Sequence, residues 1–275
     1  KAGKISALEV PACISLKDCK ELIKTSEKEN QPCFLLENVC YFKEPLTILR
    51  MIREGLFGEV VHAEAGYQHD CRFLLADDKG KLNWRGKGII DRVGNTYPTH
   101  PLGPIAQWFN INRGDRFIYL YSVATPPLGI HEYFVKKYGP NHELAKMEIR
   151  HGDINTTLLQ TTSGKTVTLY HDTSLPRPYD LIFRVQGTKG IYFGSLQKIY
   201  LEDLTPQKDT WEEFEPITYH IKHNIDFSTF DAALGFVFNE TGIVDFVRVY
   251  VKNPKLEDLL KIRDMYLREV SRMKV

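Results

Sequence analysis

Two short apolar runs flank a stretch of helical periodicity at the start of the chain. The runs are Ile5–Val10, which Pro11 ends, and Cys33–Leu36. Between them apolar residues recur at helical spacing over Leu16–Lys28, and Ser15 stands where a helix N-cap is expected. A strand, a helix and a strand at this spacing predict a βαβ unit, whose two strands lie parallel in one sheet.

A second helix and a longer strand are predicted next. Pro45 begins the helix, which ends at Gly55, and the strand Glu59–Tyr67 follows it. The segment Gln68–Arg92 has little periodicity and many Asp, Lys and Gly residues, so we expect a long loop there. Loops of this length in a compact domain are usually functional.

Prolines shape the prediction for the following segment. A helix is predicted over Thr99–Ile111, and Pro101 and Pro104 are expected to delay its start. The aromatic stretch Pro126–Gly139 is expected to be irregular.

Strand-like runs dominate from Met147 to Tyr200. We predict four strands there: Ile154–Thr161, Thr166–Asp172, Leu181–Gln186 and Gly190–Phe193. Because Ser163-Gly164 is a hairpin turn signal between the first two, the four strands are expected to form an antiparallel meander. The last predicted helix is Leu256–Met273.

These elements divide the chain into part of a parallel α/β domain and a larger mixed domain with an open, mostly antiparallel sheet. The boundary is predicted near Phe42–Pro45, with residues 1–44 in the first domain and 45–275, including the late helix 256–273, in the second. One βαβ unit cannot cover both faces of a parallel sheet, and no GxGxxG follows a strand in the sequence. We therefore expect a further βαβαβ segment upstream of Lys1.

Composition and charge limit the kinds of molecule that the protein is expected to bind. The 275 residues have a mean hydropathy of −0.30, with 36 Lys and Arg against 35 Asp and Glu. A formal net charge of +1 gives no reason to expect binding to nucleic acid or to an anionic membrane. No apolar run reaches transmembrane length and no signal peptide is recognisable, so a globular protein is expected and its compartment, cytoplasmic, periplasmic or secreted, stays open.

Several common kinds of site are missing from the sequence. Its five cysteines are loosely spaced without a CxxC pair, which favours small buried hydrophobes, although one disulfide is possible. HxH and HExxH are absent, so no metal site is expected, and the absence of GxSxG argues against a serine hydrolase. A glycosidase with paired carboxylates stays open.

Polar residues stand where predicted strands end. Glu9 and Val10 end the first strand, and Glu37 and Asn38 end the second. Ligands of open α/β sheets bind at the carboxyl ends of strands, so these residues are candidates for ligand binding, the alternative being a helix cap or a loop contact.

Tyrosines and histidines form a second group of candidates. Tyr67 and His69 leave the strand Glu59–Tyr67, while Tyr97 and His100 lie three residues apart at a predicted helix start. Such a pair can act as acid and base, or can be a structural Tyr with a His that caps the helix. Arg177 and Tyr179, held between or beside prolines, either point to a site or form a rigid turn.

Taken together, these segments resemble glycoside hydrolase family 109 of the Gfo/Idh/MocA oxidoreductase superfamily over roughly the first two hundred residues. The blocks that carry the resemblance are Glu9-Val10-Pro11, Leu36-Glu37-Asn38, Phe57–Glu64, Tyr67 with His69-Asp70, Gly94–His100, Asn110–Arg116, His171–Thr173, Pro176–Tyr179 and Arg184–Gly190. The resemblance implies that residues 1–44 are the end of a Rossmann NAD-binding domain and that the second domain binds substrate.

The resemblance also implies a chemistry. A tightly held NAD oxidises the sugar at C3, the C1 substituent leaves by elimination after loss of the C2 proton, water adds, and the hydride returns. The superfamily usually carries a lysine where this chain has Val10, and that departure favours the glycosidase branch over a simple dehydrogenase.

Site residues follow from the matched positions. Glu9, Val10 and Asn38 are expected to contact NAD. The expected sugar pocket consists of Tyr67, Arg85, Tyr97, His100, Arg177 and Tyr179. Proton transfer is assigned to His100, Tyr97 and Tyr67, with His69 in reserve, and their division between C2 and the C3 hydroxyl stays open.

The family's substrate type is a small-molecule glycoside with terminal α-linked N-acetylgalactosamine. A different glycoside is possible here, because the family's His-Gly-Gly-Met-Asp-Phe corresponds to His223–Phe227 without the glycines. Two alternatives are an NAD(P)-dependent sugar oxidoreductase of the same superfamily and a non-catalytic module. The superfamily also leads us to expect a homo-oligomer that pairs through the open sheet.

Overall fold

The computed structural model of the protein describes residues 6–215 and two further short strands. The strands are β1 Ser6–Leu8, β2 Cys33–Leu35, β3 Val60–Gln68, β4 Phe117–Ala124, β5 Ile154–Thr161, β6 Thr166–Asp172, β7 Arg184–Gly187, β8 Gly190–Phe193, β9 Lys198–Leu201, β10 Glu212–Glu213, β11 Ala232–Leu234 and β12 Val249–Val251. The helices are α1 Leu16–Glu29, α2 Lys43–Arg53, α3 Trp84–Asp91, α4 Thr99–Trp108, α5 Leu128–Tyr138 and α6 Glu143–Lys146, with 3-10 turns at Asn38–Tyr41, Arg72–Leu74 and Gly194–Leu196. The predicted helix Leu256–Met273 and the segment His223–Phe227 lie outside the described residues.

The βαβ unit at the start of the chain is confirmed. Strands β1 and β2 pair in parallel, with Ser6 opposite Cys33. The side chain of Ser15 accepts a hydrogen bond from the backbone N–H of Asp18, which is the expected N-cap of α1. The division into domains near residue 44 stays a prediction.

A mixed eight-stranded sheet forms most of the rest, in the order β10-β9-β8-β7-β3-β6-β5-β4. The predicted antiparallel meander is interrupted, because β3 lies between β7 and β6. It pairs antiparallel with β7 and parallel with β6. Only the antiparallel pairs of β5 with β6 and of β7 with β8 follow the prediction, and β9 and β10, for which no strand was predicted, extend the sheet beyond β8. The sheet is therefore mostly antiparallel, as expected, with one parallel pair that brings the end of β3 beside the end of β6.

One face of the sheet is covered by α2 and α4. Ile48 and Met51 of α2 and Ile105 of α4 are fully buried against Ala63 and Ala65 of β3. Burying an isoleucine or methionine side chain in this way contributes about 1.5–3 kcal/mol relative to leaving it exposed. This packing holds the first turn of α4 above the sheet, where the candidate site lies.

The structure differs from the predictions at the helices α3 and α5 and at the start of helix α4. Helix α3 forms inside the predicted loop, where the side chain of Asn83 caps it by accepting from the backbone N–H groups of Arg85 and Gly86. Helix α4 begins at Thr99 without delay, because Pro101 in the first turn removes a donor that has no partner inside the helix. Pro104 lies inside the helix and does not end it. The predicted irregular stretch contains α5, whose cap comes from Asp153.

That cap explains why α5 was missed. The Asp153 carboxylate accepts hydrogen bonds from the backbone N–H groups of Gly129 at 2.6 Å and Ile130 at 3.2 Å. Ile130 and Phe134 of α5 are then buried in a second apolar cluster. The strand β4, for which no prediction was made, forms the edge of the sheet.

The cysteines are only partly the buried hydrophobes that were expected. All five are free, and Cys40 and Cys71 are buried. Cys13 and Cys33 are half-buried. Cys19 is exposed, because it lies on α1, which has no buried residues. Among the described residues, no helix is long and apolar enough to cross a membrane.

Candidate active site

The carboxyl ends of β1 and β2 form one edge of the site. Their parallel register continues past the strands, where the backbone N–H of Leu36 donates to the carbonyl of Leu8 at 2.8 Å. Val10 is buried at 7% exposure, and its backbone N–H donates to the Glu9 carboxylate at 2.9 Å. Asn38 begins the 3-10 turn after β2. The predicted cofactor residues therefore share one edge of the small sheet.

The end of β3 supplies the next two rings. Tyr67 is held in register opposite His171 of β6, and the backbone N–H of His69 donates to the carbonyl of Asp172 at 2.9 Å. The Tyr67 and His69 ring centroids are 4.9 Å apart in an edge-to-face arrangement. His69 Nε2 lies 3.0 Å from the sulfur of Cys71, which orients the imidazole.

The first turn of α4 brings two more rings onto Tyr67. The centroids of Tyr97 and His100 are 5.0 Å apart, and each ring also contacts Tyr67, at 4.8 Å and 5.4 Å respectively. The backbone N–H of Tyr97 donates to the Asn95 side chain at 3.1 Å, which shapes the turn before the helix. We call Tyr67, His69, Tyr97, His100 and Tyr179 the ring cluster.

Two hydrogen bonds connect the ring cluster to the ends of β1 and β2. The Tyr97 hydroxyl donates to the carbonyl of Val10 at 3.2 Å, and His100 Nδ1 lies 2.7 Å from Glu37 Oε1. The alternative that His100 caps α4 is wrong, because its Nδ1 bonds to Glu37 and the helix has no side-chain cap. Tyr97 and His100 are thus directed at the predicted cofactor edge.

Burial sets the protonation of the phenols. It raises the pKa of Tyr67, and the neighbouring Cys71 and Tyr97 raise it further, while the positive charge of Arg85 opposes the shift. Burial also raises the pKa of Tyr97. Both hydroxyls are therefore protonated at neutral pH and act as hydrogen-bond donors.

The histidine at the end of β3 is shifted in the opposite direction. Burial lowers the pKa of His69, and the positive charge of Arg85 lowers it further. A neutral imidazole has one nitrogen with a free lone pair, so His69 can accept a proton at neutral pH.

The remaining predicted sugar residues surround the cluster in different ways. Tyr179 joins it through an edge-to-face contact with His69 at 5.2 Å, and 55% of its surface is exposed. Arg85 lies in the first turn of α3, near enough for its charge to act on Tyr67, Tyr97 and His69. Arg177 is tied to the buried carboxylate of Asp172 at 3.1 Å.

Three residues of this region were not assigned to the cofactor or sugar site. Glu37 was a candidate for ligand binding because it ends a predicted parallel strand, but only its neighbour Asn38 was assigned to NAD. His171 and His151 are 2% and 1% exposed and pack edge to face at 5.1 Å below Tyr67. His171 lies in one of the blocks that carry the family resemblance but was given no role, and nothing in the sequence pattern marked His151. Within residues 6–215, no group of three or more His, Cys, Asp or Glu side chains is arranged to hold a metal ion.

Solved structures share this architecture at low sequence identity. An inositol dehydrogenase homolog complexed with NADH and myo-inositol from Azotobacter vinelandii matches with a TM-score of 0.52 and 17% identity, over 77% of this chain and 50% of that chain. An NAD binding oxidoreductase from Klebsiella pneumoniae matches with a TM-score of 0.56 and 16% identity, over 77% of this chain and 54% of that chain. These likenesses show the fold alone, which is that of the Gfo/Idh/MocA oxidoreductases.

Sequence comparisons identify the family. A Glycosyl hydrolase family 109 protein of Stenotrophomonas maltophilia (strain K279a) is 42% identical over 241 residues, 81% of this chain and 53% of that relative. An Alpha-N-acetylgalactosaminidase of Shewanella oneidensis is 40% identical over 204 residues, 74% of this chain and 44% of that relative. The chain thus spans about half the length of the curated relatives it matches. Because the profile of the glycosyl hydrolase 109 C-terminal domain also matches residues 41–233, the chain belongs to glycosyl hydrolase family 109.

Proposed function

We propose that the whole protein is an NAD-dependent glycosidase for terminal α-linked N-acetylgalactosamine or a similar glycoside. It acts by oxidation at C3, elimination across C1 and C2, addition of water and re-reduction. The observation that carries this proposal is that Tyr97 and His100 contact both Tyr67 and the ends of β1 and β2. Proton-transfer groups therefore stand at the edge where open α/β sheets bind ligands. The name of the Shewanella oneidensis relative supports the sugar.

The residues at this edge fit a dinucleotide. Glu9, Val10 and Asn38 follow the carboxyl ends of two parallel strands. Glu37 Oε2 is buried and has no hydrogen-bond partner among the described residues, so the edge holds an acceptor that a hydroxyl or amide of a bound ligand would satisfy. When bound, NAD supplies the group that accepts the hydride and returns it. The buried, uncharged Val10 leaves proton transfer to the ring cluster.

The ring cluster divides into donors and acceptors. Tyr67 and Tyr97 keep their protons at neutral pH, because burial raises their pKa values. The Tyr67 hydroxyl can donate to a sugar oxygen, whereas the single proton of Tyr97 is donated to the carbonyl of Val10 and would have to turn from it to reach a sugar oxygen. The imidazoles of His100 and His69 are the groups that accept the proton from C2. Of these two, His100 is the one whose ring is held by a buried carboxylate.

Three further residues complete the sugar pocket. Arg85 supplies positive charge beside the two phenols. Tyr179 offers an exposed ring face of the kind on which a sugar can pack, next to His69. Arg177 orders the loop that carries Tyr179 through its ion pair with Asp172.

The uncovered face of the large sheet is the proposed surface for homo-oligomerisation. Tyr121 of β4 lies opposite Leu158 of β5, and they are 69% and 47% exposed. Tyr119 and Val123 continue the same face of β4 at 67% and 48% exposure. We call these four residues the open-face patch. Apolar side chains concentrated on one sheet face commonly mark an interface with another subunit.

The experiment uses the full-length protein with para-nitrophenyl α-N-acetylgalactosaminide and a panel of other para-nitrophenyl glycosides. Release of para-nitrophenol and NADH absorbance are followed together. Release without net NADH, lost in His100→Ala and kept in His131→Ala, is the expected result; His131 is exposed on α5. NADH accumulation without para-nitrophenol would instead show the sugar oxidoreductase. If neither para-nitrophenol nor NADH appeared with any glycoside of the panel, the proposed glycosidase activity would be contradicted.

A further inference from the structure

Glu37 is a buried carboxylate at the junction of three structural elements. It is 6% exposed, directly after β2 and before the 3-10 turn Asn38–Tyr41. Its Oε1 accepts a hydrogen bond from the backbone N–H of Val39 at 3.1 Å and lies 2.7 Å from Nδ1 of His100. Carboxylates are almost never buried without a paired or hydrogen-bonded partner, so His100 is part of what keeps Glu37 in place.

Gly103 makes this approach possible. It lies one helical turn after His100 on α4, facing the 3-10 turn. A Cβ atom at this position would come within 2.8 Å of Cγ of Glu37 and within 2.8 Å of the sulfur of Cys40. Neither atom is the free end of a long side chain, so even a methyl group would force a shift in the segment that carries Glu37 and Cys40, and we expect that shift to disturb the contact of Glu37 with the imidazole.

The contact determines which nitrogen of His100 carries the proton. An ionised carboxylate only accepts hydrogen bonds, so Nδ1 must be the donor. A neutral imidazole has a single N–H, and Nε2 is then left with its lone pair. The other polar groups of the described residues that are found beside the ring are Tyr67, Tyr97 and His69. None of these three is a carboxylate that would favour the opposite tautomer.

We propose that Glu37 is a positioning residue that orients the His100 ring and holds its proton on Nδ1, so that Nε2 is the nitrogen that accepts a proton. The tautomer is a property of this chain alone. Its catalytic consequence rests on the proposed function, in which His100 takes the C2 proton of the sugar. Hydrogen-bond partners that orient metal-bound histidines typically contribute about 10–100-fold, and we expect a contribution of the same size from Glu37.

The direct test is the tautomer of His100. The chain is labelled with ¹⁵N, and the ring nitrogens are followed by long-range ¹H–¹⁵N correlation at pH 8, with the His100 signals assigned by their loss in His100→Gln. The wild type is expected to show Nδ1–H and a bare Nε2. In Glu37→Gln the amide can donate as well as accept, so the two tautomers should mix. Nε2–H in the wild type, or an unchanged tautomer in Glu37→Gln, would overturn the proposal.

Two further variants serve as a control and as an independent test of the tautomer measurement. Glu21→Gln, an exposed carboxylate of α1, should leave the His100 tautomer unchanged. Gly103→Ala changes neither partner of the pair but crowds Glu37 and Cys40, and it should mix the tautomers as Glu37→Gln does. If Glu37→Gln fails to fold, by circular dichroism, Gly103→Ala decides the proposal by itself.

Kinetics of the full-length protein separate this proposal from the proposed function. If glycoside is cleaved, Glu37→Gln should lower kcat about 10–100-fold with a smaller change in KM. If no glycoside is cleaved but the tautomer depends on Glu37, the positioning role stands and the glycosidase fails. If glycoside is cleaved and neither kcat nor the tautomer responds to Glu37→Gln, the positioning role fails alone.

Discussion

The hydroxyl of Tyr97 donates a hydrogen bond to the backbone carbonyl of Val10 at 3.2 Å. The two residues are 87 positions apart, and the bond joins the turn before α4 to the end of β1. This bond holds the protonated hydroxyl of Tyr97 against the end of β1, where we propose that the cofactor binds.

Removal of this hydroxyl should affect both stability and activity. Tyr97→Phe should lower the free energy of unfolding by about 1 kcal/mol, because one hydrogen bond is lost. It should also lower the glycosidase activity of the full-length protein by at least about 100-fold, the usual loss for a proton-transfer group. Urea denaturation and para-nitrophenol release measure the two effects.

Tyr138→Phe is the matched control for that prediction. Its hydroxyl also donates to a backbone carbonyl, that of Asp77 at 2.7 Å, and Tyr138 is not part of the ring cluster. It should show a similar loss of stability and full activity. Equal activity in the two variants would contradict the role of Tyr97.

The charge of Arg85 should be visible in the titration of His69. Because Arg85 lowers the pKa of His69, Arg85→Met should raise that pKa towards the usual value of a histidine. The measurement is a proton NMR titration of the His69 ring in the isolated chain. Lys87→Met, an exposed cation on the same helix, should leave the titration unchanged. A His69 pKa that falls or stays the same in Arg85→Met would show that the two groups do not interact.

The buried histidine pair should make the protein sensitive to acid. Burial lowers the pKa of His151 to about 4 and that of His171 to about 3. An unfolded histidine takes up its proton near pH 6.5, so between that pH and about pH 4 the unfolded state binds more protons than the folded state. The free energy of unfolding should therefore fall as the pH falls, by about 2 kcal/mol between pH 6 and pH 5 for the pair.

A substitution isolates this contribution from that of the carboxylates. Neither ring nitrogen of His151 has a side-chain hydrogen-bond partner in the described part of the chain, so His151→Leu removes a titrating group without breaking such a bond. About half of the 2 kcal/mol should disappear in urea denaturation at the two pH values. The exposed His131→Leu should keep the wild-type difference, and the same difference in His151→Leu would refute the assignment.

The open-face patch should control the oligomeric state. Tyr121→Glu together with Leu158→Glu places charges at two opposed positions of the patch and should convert the oligomer into monomers in sedimentation velocity. Leu128→Glu, similarly exposed at the start of α5 but outside the patch, should leave the sedimentation unchanged. A wild type that sediments as a monomer at all concentrations would remove the basis for an interface on this face.

Local signals predicted many of the described elements correctly. Helix α1 was predicted from apolar periodicity and Ser15, and the hairpin of β5 and β6 from Ser163-Gly164, because each signal acts within a few residues. Helix α5 was missed because its N-terminal amides are satisfied by Asp153, which lies beyond the helix in the sequence. A cap supplied by tertiary structure leaves no local signal.

The candidate site, like the fold, could be predicted only where its signals are local in the sequence. The sequence alone determined which tyrosines and histidines are present, their spacing at the start of α4, and the family resemblance, since these depend on neighbouring residues. Only the tertiary structure decided that β3 inserts between β6 and β7 and that Glu37 meets His100 across 63 residues. Such pairings depend on how distant segments pack, and Gly103, which makes room for Glu37, stands in the sequence as an ordinary helix residue.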